Sequence, residues 1–277
     1  VVVTGLGNYS GSITKPFSIT AQTVSGATVT INPEANLVFD GTVKHPEVTK
    51  VAIAANEATG TTEKVFSADT DYDVSYSDVC TNVGEYTATV TFKGNYSGTA
   101  SGTFNITAKS LTGATIATIA DQTYSGSEIM PEPVVSIVLV SGTEATTLVK
   151  GTDLEYTYAN NTNAAKSSDE NAAPTVIITG IGNYSGTASQ KFTIGQATAT
   201  ITASNQSYGY TGNNVEFDIA KITISPETIS KDKLIINYSA PDPNNQGETI
   251  TYEAGPTEVG TYTVEIDLND DNYSATP

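Results

Sequence analysis

The chain has 277 residues and a net charge of −18; its 12 cationic residues are all lysine, against 30 acidic ones, and only 15% of its residues are charged. So acidic a surface without arginine is ill suited to phosphate backbones, and no apolar run reaches the 18 or so residues of a membrane-spanning helix, so neither nucleic acid nor membrane insertion is expected. One cysteine, Cys80, forbids an internal disulfide, and one histidine, His45, leaves little material for acid–base chemistry near neutral pH, so the composition points away from an enzyme and implies no cofactor.

The string Gly-Asn-Tyr-Ser-Gly at 7–11 returns at 94–98 and 182–186 and, as Asp-Asn-Tyr-Ser-Ala, at 271–275. Its asparagines, Asn8, Asn95, Asn183 and Asn272, are 87, 88 and 89 residues apart. A propeller blade or solenoid coil repeats at roughly 20 to 50 residues and cannot bury a core alone, whereas a unit of this length can. The frame predicts the C-terminal strands of a preceding repeat at 1–22, whole repeats at 23–109 and 110–196, and at 197–277 a repeat lacking its last strand. On this reading the sequence is a window cut from a longer array.

Each repeat opens with an aromatic residue, a small polar residue and a glycine: Phe39-Asp40-Gly41, Tyr124-Ser125-Gly126 and Tyr210-Thr211-Gly212. Next come alternating apolar positions, the mark of a half-buried strand: Tyr72, Val74 and Tyr76, then Leu154, Tyr156 and Tyr158, then Leu234, Ile236 and Tyr238. A loop leads to a further strand, Tyr86–Phe92 or Tyr262–Ile266, then to the Gly-Asn-Tyr-Ser-Gly turn, and last to a threonine-rich strand, Thr99–Thr107 or Thr187–Ile194. No segment carries a 3.6-residue apolar stripe, while Thr, Val, Ile and Tyr fill the runs and Gly, Asn, Asp and Pro punctuate them. The fold class expected is all-β: tandem immunoglobulin-like β-sandwich repeats of about 88 residues, arranged as an extended array.

Several residues are candidates for a role. Tyr86 and Tyr262 follow a Val-Gly-x pattern, and a tyrosine there is expected to bond back to nearby backbone as a structural corner. In the turns, Asn95 and Asn183 are read with their glycines as residues that tolerate positive φ. Their neighbours Tyr96 and Tyr184 (like Tyr9 and Tyr273) are expected to lid the end of their own sandwich or pack on the next one. Asp69, Asp71 and Asp73 alternate, so in a strand they share one face and form a weak calcium candidate against a solvated acidic face; no metal site is expected. Cys80 and His45 lack the surroundings of a nucleophile and base, and no catalytic residue is expected. Lys15, Lys109 and Lys191 are the lysines placed for a Lys–Asn cross-link, although most strand lysines are solvated edge charges.

The run Thr-Asp-Tyr-Asp-Val-Ser-Tyr-Ser at 70–77, Asn82-Val83-Gly84-Glu85-Tyr86-Thr87, and Lys93-Gly94-Asn95-Tyr96-Ser97-Gly98-Thr99 resemble the bacterial immunoglobulin-like repeats called MBG domains. The resemblance extends over essentially the whole chain. The second unit departs at Glu170–Val176, where Ala172-Ala173-Pro174 stands in place of Gly-x-Tyr. The family implies tandem modules of large secreted or cell-wall-anchored bacterial surface proteins, often adhesins, and no catalytic residues to carry over. The function expected is a structural spacer that projects an adhesive or catalytic domain from a bacterial cell surface or wall, its partners being the neighbouring repeats. Two alternatives stand beside it. One is an adhesive module for a host glycan or protein, with the Asn160–Ala173 loop as its candidate site. The other is a fibre subunit that self-associates through terminal strands, Ser12–Thr20 of one chain completing the third unit of another.

Overall fold

The computed structural model describes residues 1–32, 37–58 and 60–276. Among the described residues there is no α-helix, only two short 3-10 turns, Ile219–Lys221 and Lys231–Lys233. All other regular structure is strand, as a sequence rich in Thr, Val, Ile and Tyr dictates. The chain divides into two compact units, one formed by residues 1–113, 136–154 and 180–186, the other by 114–135, 155–179 and 187–277, so the middle repeat contributes to both.

In the first unit, Thr28–Ile31, Val48–Ile53 and Lys64–Phe66 form one antiparallel sheet, and Tyr72–Tyr76, Gly84–Phe92 and Thr99–Ile106 form another. The core lies between them: Val51 and Val90 are fully buried, with Val24, Phe66, Tyr72 and Phe92 packed around them. Phe66 meets Phe92 edge-on at 4.8 Å. Burying each such side chain stabilises the fold by roughly 1.5–3 kcal/mol, so a charge at Val90 would break the sandwich. At Gly102 the two sheets approach closely; a Cβ there would lie 3.0 Å from the carbonyl oxygen of Val29. Residues 2–4 and 12–14 pair as a separate hairpin.

In the second unit, Ile222–Ser225, Ala197–Ala203 and Tyr273–Thr276 form one sheet and Thr249–Tyr252, Leu234–Pro241 and Thr263–Leu268 the other. They enclose Ala199, Ile222, Ile224 and Ile229. A further sheet joins Leu154–Ala159, Thr175–Gly180 and Thr187–Lys191. Pro174, in place of the expected tyrosine of the second repeat, is fully buried and its carbonyl accepts from Phe192 N, so the ladder continues past the departure.

The Gly-Asn-Tyr-Ser-Gly string is more than a hairpin turn. Its Tyr-Ser pair forms a short strand that runs parallel to the residues around the start of its repeat: Gln22 opposite Tyr96, Lys109 opposite Tyr184 and Ala197 opposite Tyr273. The preceding asparagine's carbonyl accepts from the same strand each time, at 2.8, 2.9 and 2.9 Å for Asn95, Asn183 and Asn272. The glycines carry the positive φ, 66° at Gly94 and 61° at Gly182, and the asparagines do not, which corrects the expectation that Asn95 and Asn183 share that burden.

Candidate functional site

The aromatic–polar–glycine motifs fold alike. The glycine takes φ of 78°, 77° and 76° at Gly41, Gly126 and Gly212. The preceding Asp, Ser or Thr side chain accepts the N–H two residues on: Asp40 from Thr42 at 2.9 Å, Ser125 from Ser127 at 3.4 Å and Thr211 from Asn213 at 3.2 Å. Five residues after the aromatic, a backbone N–H reaches a second loop: Lys44 to Cys80 O, Ile129 to Asn161 O and Val215 to Pro256 O, at 2.9, 2.8 and 3.0 Å. Two loops are thereby held side by side in every repeat. At the first, Asp40 also takes a 2.5 Å ion pair from Lys44. Burial works against its charge, but the hydrogen bonds from Lys44 and Thr42 hold its carboxyl down to about 2.

Across the first of these loop pairs lies the string of the following repeat. Asn183 Oδ1 accepts from Val83 N at 2.9 Å and its Nδ2 donates to Asn82 Oδ1 at 3.0 Å. Tyr184, buried, meets Phe39 edge-on with ring centroids 5.6 Å apart. The second pair is filled identically: Asn272 Oδ1 accepts from Ala164 N at 2.8 Å, its Nδ2 reaches Asn163 Oδ1 at 3.3 Å, and Tyr273 meets Tyr124 edge-on at 5.2 Å. The side-chain amide is satisfied on both its acceptor and its donor side while the tyrosine seals the apolar part. This junction recurs along the chain, and Asn183, Tyr184, Asn272 and Tyr273 form it.

The other singled-out residues fall elsewhere. Tyr96 packs edge-on against Phe66 of its own sandwich at 5.0 Å, and among the described residues no loop pair meets Asn95. Tyr86 and Tyr262 each donate from the hydroxyl to a carbonyl four residues back, Asn82 O at 3.0 Å and Glu258 O at 2.9 Å. A second tyrosine tether carried no sequence signal beyond strand alternation: Tyr76 donates to Pro46 O and Tyr158 to Pro131 O, while Tyr238 Oη accepts from Phe217 N.

The acidic trio does not form the expected strand face. The strand begins at Tyr72, Asp69 sits before it with φ of +65°, and Asp71 closes the same turn by accepting from Ser67 N at 2.9 Å. Asp153 repeats that turn on Val149 N. Asp73 alone faces out from the strand, paired with Lys93 at 2.5 Å. Among the described residues no group of three or more His, Cys, Asp or Glu could hold a metal ion.

Cys80 is buried, donates to Ser77 O, and has its thiol pKa raised by burial and then by Asp78; His45 stacks on Tyr76 at 4.3 Å. Of Lys15, Lys109 and Lys191, none reaches an asparagine side chain among the described residues; Lys191 Nζ donates to Asp169 O. The Asn160–Ala173 loop is tied down by bonds within it and to its neighbours. Asn160 Nδ2 donates to Asn171 O, the half-buried loop residue Ala165 exchanges both backbone bonds with Ile194, and Asn161 is buried with its amide on Ile129 O.

Residues 27–110 match the family model of the MBG domain. No curated protein and no solved structure matches the chain. The matched span contains the first complete sandwich, its loop pair and the string at 94–98, and the later stretches repeat its loop-pair and string hydrogen bonds. Over residues 27–110 the chain is thus similar to the MBG domain.

Proposed function

We propose that the chain is a non-catalytic structural spacer of a bacterial extracellular or cell-surface protein, whose repeats hold one another in series so that a separate adhesive or catalytic domain is carried away from its anchor. The observation that carries this reading is the recurrence of one junction, an asparagine clasp and an edge-on aromatic pair, at Asn183 and again at Asn272. A ligand site has no reason to recur at each repeat with the same internal partners, whereas a mechanical connection does. The Asn160–Ala173 loop, tied to itself and to Ile129, gives no support to a binding surface there.

Single-molecule stretching tests the reading. A spacer of independent modules unfolds in separate events, each releasing a contour of about 300 Å for some 88 residues at roughly 3.5 Å each. One cooperative event for the whole chain, or binding to a glycan array by the intact chain, would replace the spacer reading with another.

A further inference from the structure

The segment that enters a repeat and the strand that leaves it run side by side in the same direction. In the first repeat, Gln22 N bonds Asn95 O and Val24 N bonds Ser97 O, both at 2.8 Å, so the entry residues lie parallel to the start of the last strand. Farther along, Thr107 N bonds Leu37 O at 2.7 Å and Phe39 N bonds Thr107 O at 2.8 Å, a second parallel station at the end of that strand. The second repeat has both stations. Lys109 N bonds Asn183 O and Leu111 N bonds Ser185 O, each at 2.9 Å. Gln122 N bonds Thr193 O at 2.9 Å and Tyr124 N bonds Gly195 O at 2.8 Å. The first station returns again where Ala197–Thr200 runs parallel to Tyr273–Thr276.

These stations lie between the points where tension acts. A pull along the chain enters the first repeat at Gln22 and leaves it at Thr107, near opposite ends of the last strand. From Tyr96 to Thr107 that strand covers roughly 35 Å at about 3.3 Å per residue, so the pull runs along the strands. Because the paired segments are parallel, their loaded ends face opposite ways, and lengthening the repeat requires one segment to slide past the other. Bonds across such a pair share the load and break together, whereas a pair peeled from one end gives up its bonds singly.

The entry strand is also pinned from within. Its second bonded residue is an apolar anchor in every repeat: Val24, Leu111 and Ala199 are 6%, 1% and 0% exposed. Val24 sits in the same core cluster as Val51 and Val90, and sliding would draw it out into water. The stations add few bonds to a sheet already closed by the pairing of Thr99–Ile106 with Gly84–Phe92, but they are the ones set between the two load points.

We propose that this parallel pairing is a shear clamp that gives each repeat its resistance to tension. The clamp rests on the spacer reading and adds to it the groups that bear the load. The junction is built on the same station. Asn183 accepts Lys109 N on its carbonyl, while its side chain holds Val83 N and Asn82 Oδ1 of the first repeat. Asn272 likewise accepts Ala197 N on its carbonyl while its side chain holds Ala164 N and Asn163 Oδ1. Each clasp thus grips the preceding repeat at the place where the next clamp begins.

Force-clamp measurements on the full chain, held by cysteine handles so that only the first repeat bears load, test the proposal. Cys80 is buried and stays unlabelled in the folded chain. Handles at Thr20→Cys and Ala108→Cys load the stations along the strand. Handles at Thr20→Cys and Asn95→Cys pull the same two segments apart from one end. The second pair is expected to give lifetimes at least about tenfold shorter at equal force, since its bonds break one at a time. Gln22→Pro deletes the N–H given to Asn95 O, at an exposed position, and is expected to shorten the lifetime with the first handle pair about tenfold. Tyr86→Phe loses a comparable bond that the clamp does not use and that is intact when the stations slip. It is expected to leave that lifetime within about twofold. Equal lifetimes with the two handle pairs, or equal shortening by Gln22→Pro and Tyr86→Phe, overturns the clamp. Neither result touches the spacer reading, which fails instead if the whole chain, stretched from its ends, unfolds in one event.

Discussion

Replacing Asp40 by asparagine tests whether the turn beside the junction is held by charge. Asp40 Oδ1 accepts from Thr42 N and Oγ1, and Oδ2 pairs with Lys44 Nζ at 2.5 Å; both charged side chains are mostly covered, at 24% and 16% exposed. Burial opposes ionisation, but those bonds outweigh it and lower the carboxyl from 3.8 to about 2. Because the folded value is depressed, the associated stability is fully present above the unfolded value and is lost as pH falls from about 4 toward 2. The difference corresponds to roughly 2 kcal/mol of the first repeat's stability. Asp40→Asn retains an acceptor for Thr42 but loses the charged pairing, so it lacks this pH-dependent part. Urea unfolding followed by NMR at Val51 and Val90, in the core of the same repeat, isolates the effect from the other repeats. Between pH 5 and pH 2 the wild-type chain is expected to lose roughly 2 kcal/mol more than Asp40→Asn; titration of every other carboxylate is common to both and cancels. Parallel pH curves for the two chains would refute the argument.

Asn183→Ala removes one acceptor and one donor from the first junction, and hydrogen exchange at the Val83 amide is expected to quicken about tenfold, the worth of one neutral hydrogen bond. Val83→Ala leaves that exchange unchanged, since only the backbone of residue 83 takes part. Tyr86→Phe and Tyr262→Phe each lose a hydroxyl bond to a carbonyl, and each lowers the melting temperature of its repeat by a few degrees, corresponding to roughly 1 kcal/mol; unchanged melting would sink the corner role. Cys80, buried and with its thiol pKa raised by burial and by Asp78, is expected to resist a thiol reagent at pH 8 in the folded chain and react at once in urea; equal rates would contradict its placement.

The sandwiches were legible because their causes are local. Alternation at Tyr72, Val74 and Tyr76 and the β-branched runs point to strands, and the 87–89-residue spacing gives each unit room for two sheets. The tyrosine corner was legible for the same reason, its partner lying four residues away. The acidic trio misled because alternation implies a common face only inside a strand, and the backbone at Asp69 turns to φ +65° before the strand begins. The asparagine clasp left no local mark at all. Asn183 and Asn82 are separated by about a hundred residues, and what the sequence displays at Asn183 is equally well explained by turn chemistry. The glycines alone satisfy the turn, which leaves the recurring asparagine without a local cause and would have pointed to a partner outside its own repeat.

Each clasp reads one backbone N–H and one asparagine side chain, and this explains how repeats that differ so much keep one junction. Asn183 and Asn272 address the N–H of Val83 in one case and of Ala164 in the other, and the loop pair that presents those groups is itself held by a backbone bond from a position occupied by Lys, Ile or Val to a carbonyl of Cys, Asn or Pro. A junction specified this way constrains the string's asparagine and tyrosine, the aromatic that meets the tyrosine, and the loop asparagine (Asn82 or Asn163) that accepts the amide, and leaves the remaining loop residues free to vary. The second repeat illustrates the tolerance: its Ala172-Ala173-Pro174 departure removes the corner tyrosine, yet the next asparagine still finds Ala164 N at 2.8 Å. A binding surface has to preserve side chains. A connector, the role proposed for this chain, has to preserve only the groups that join one module to the next.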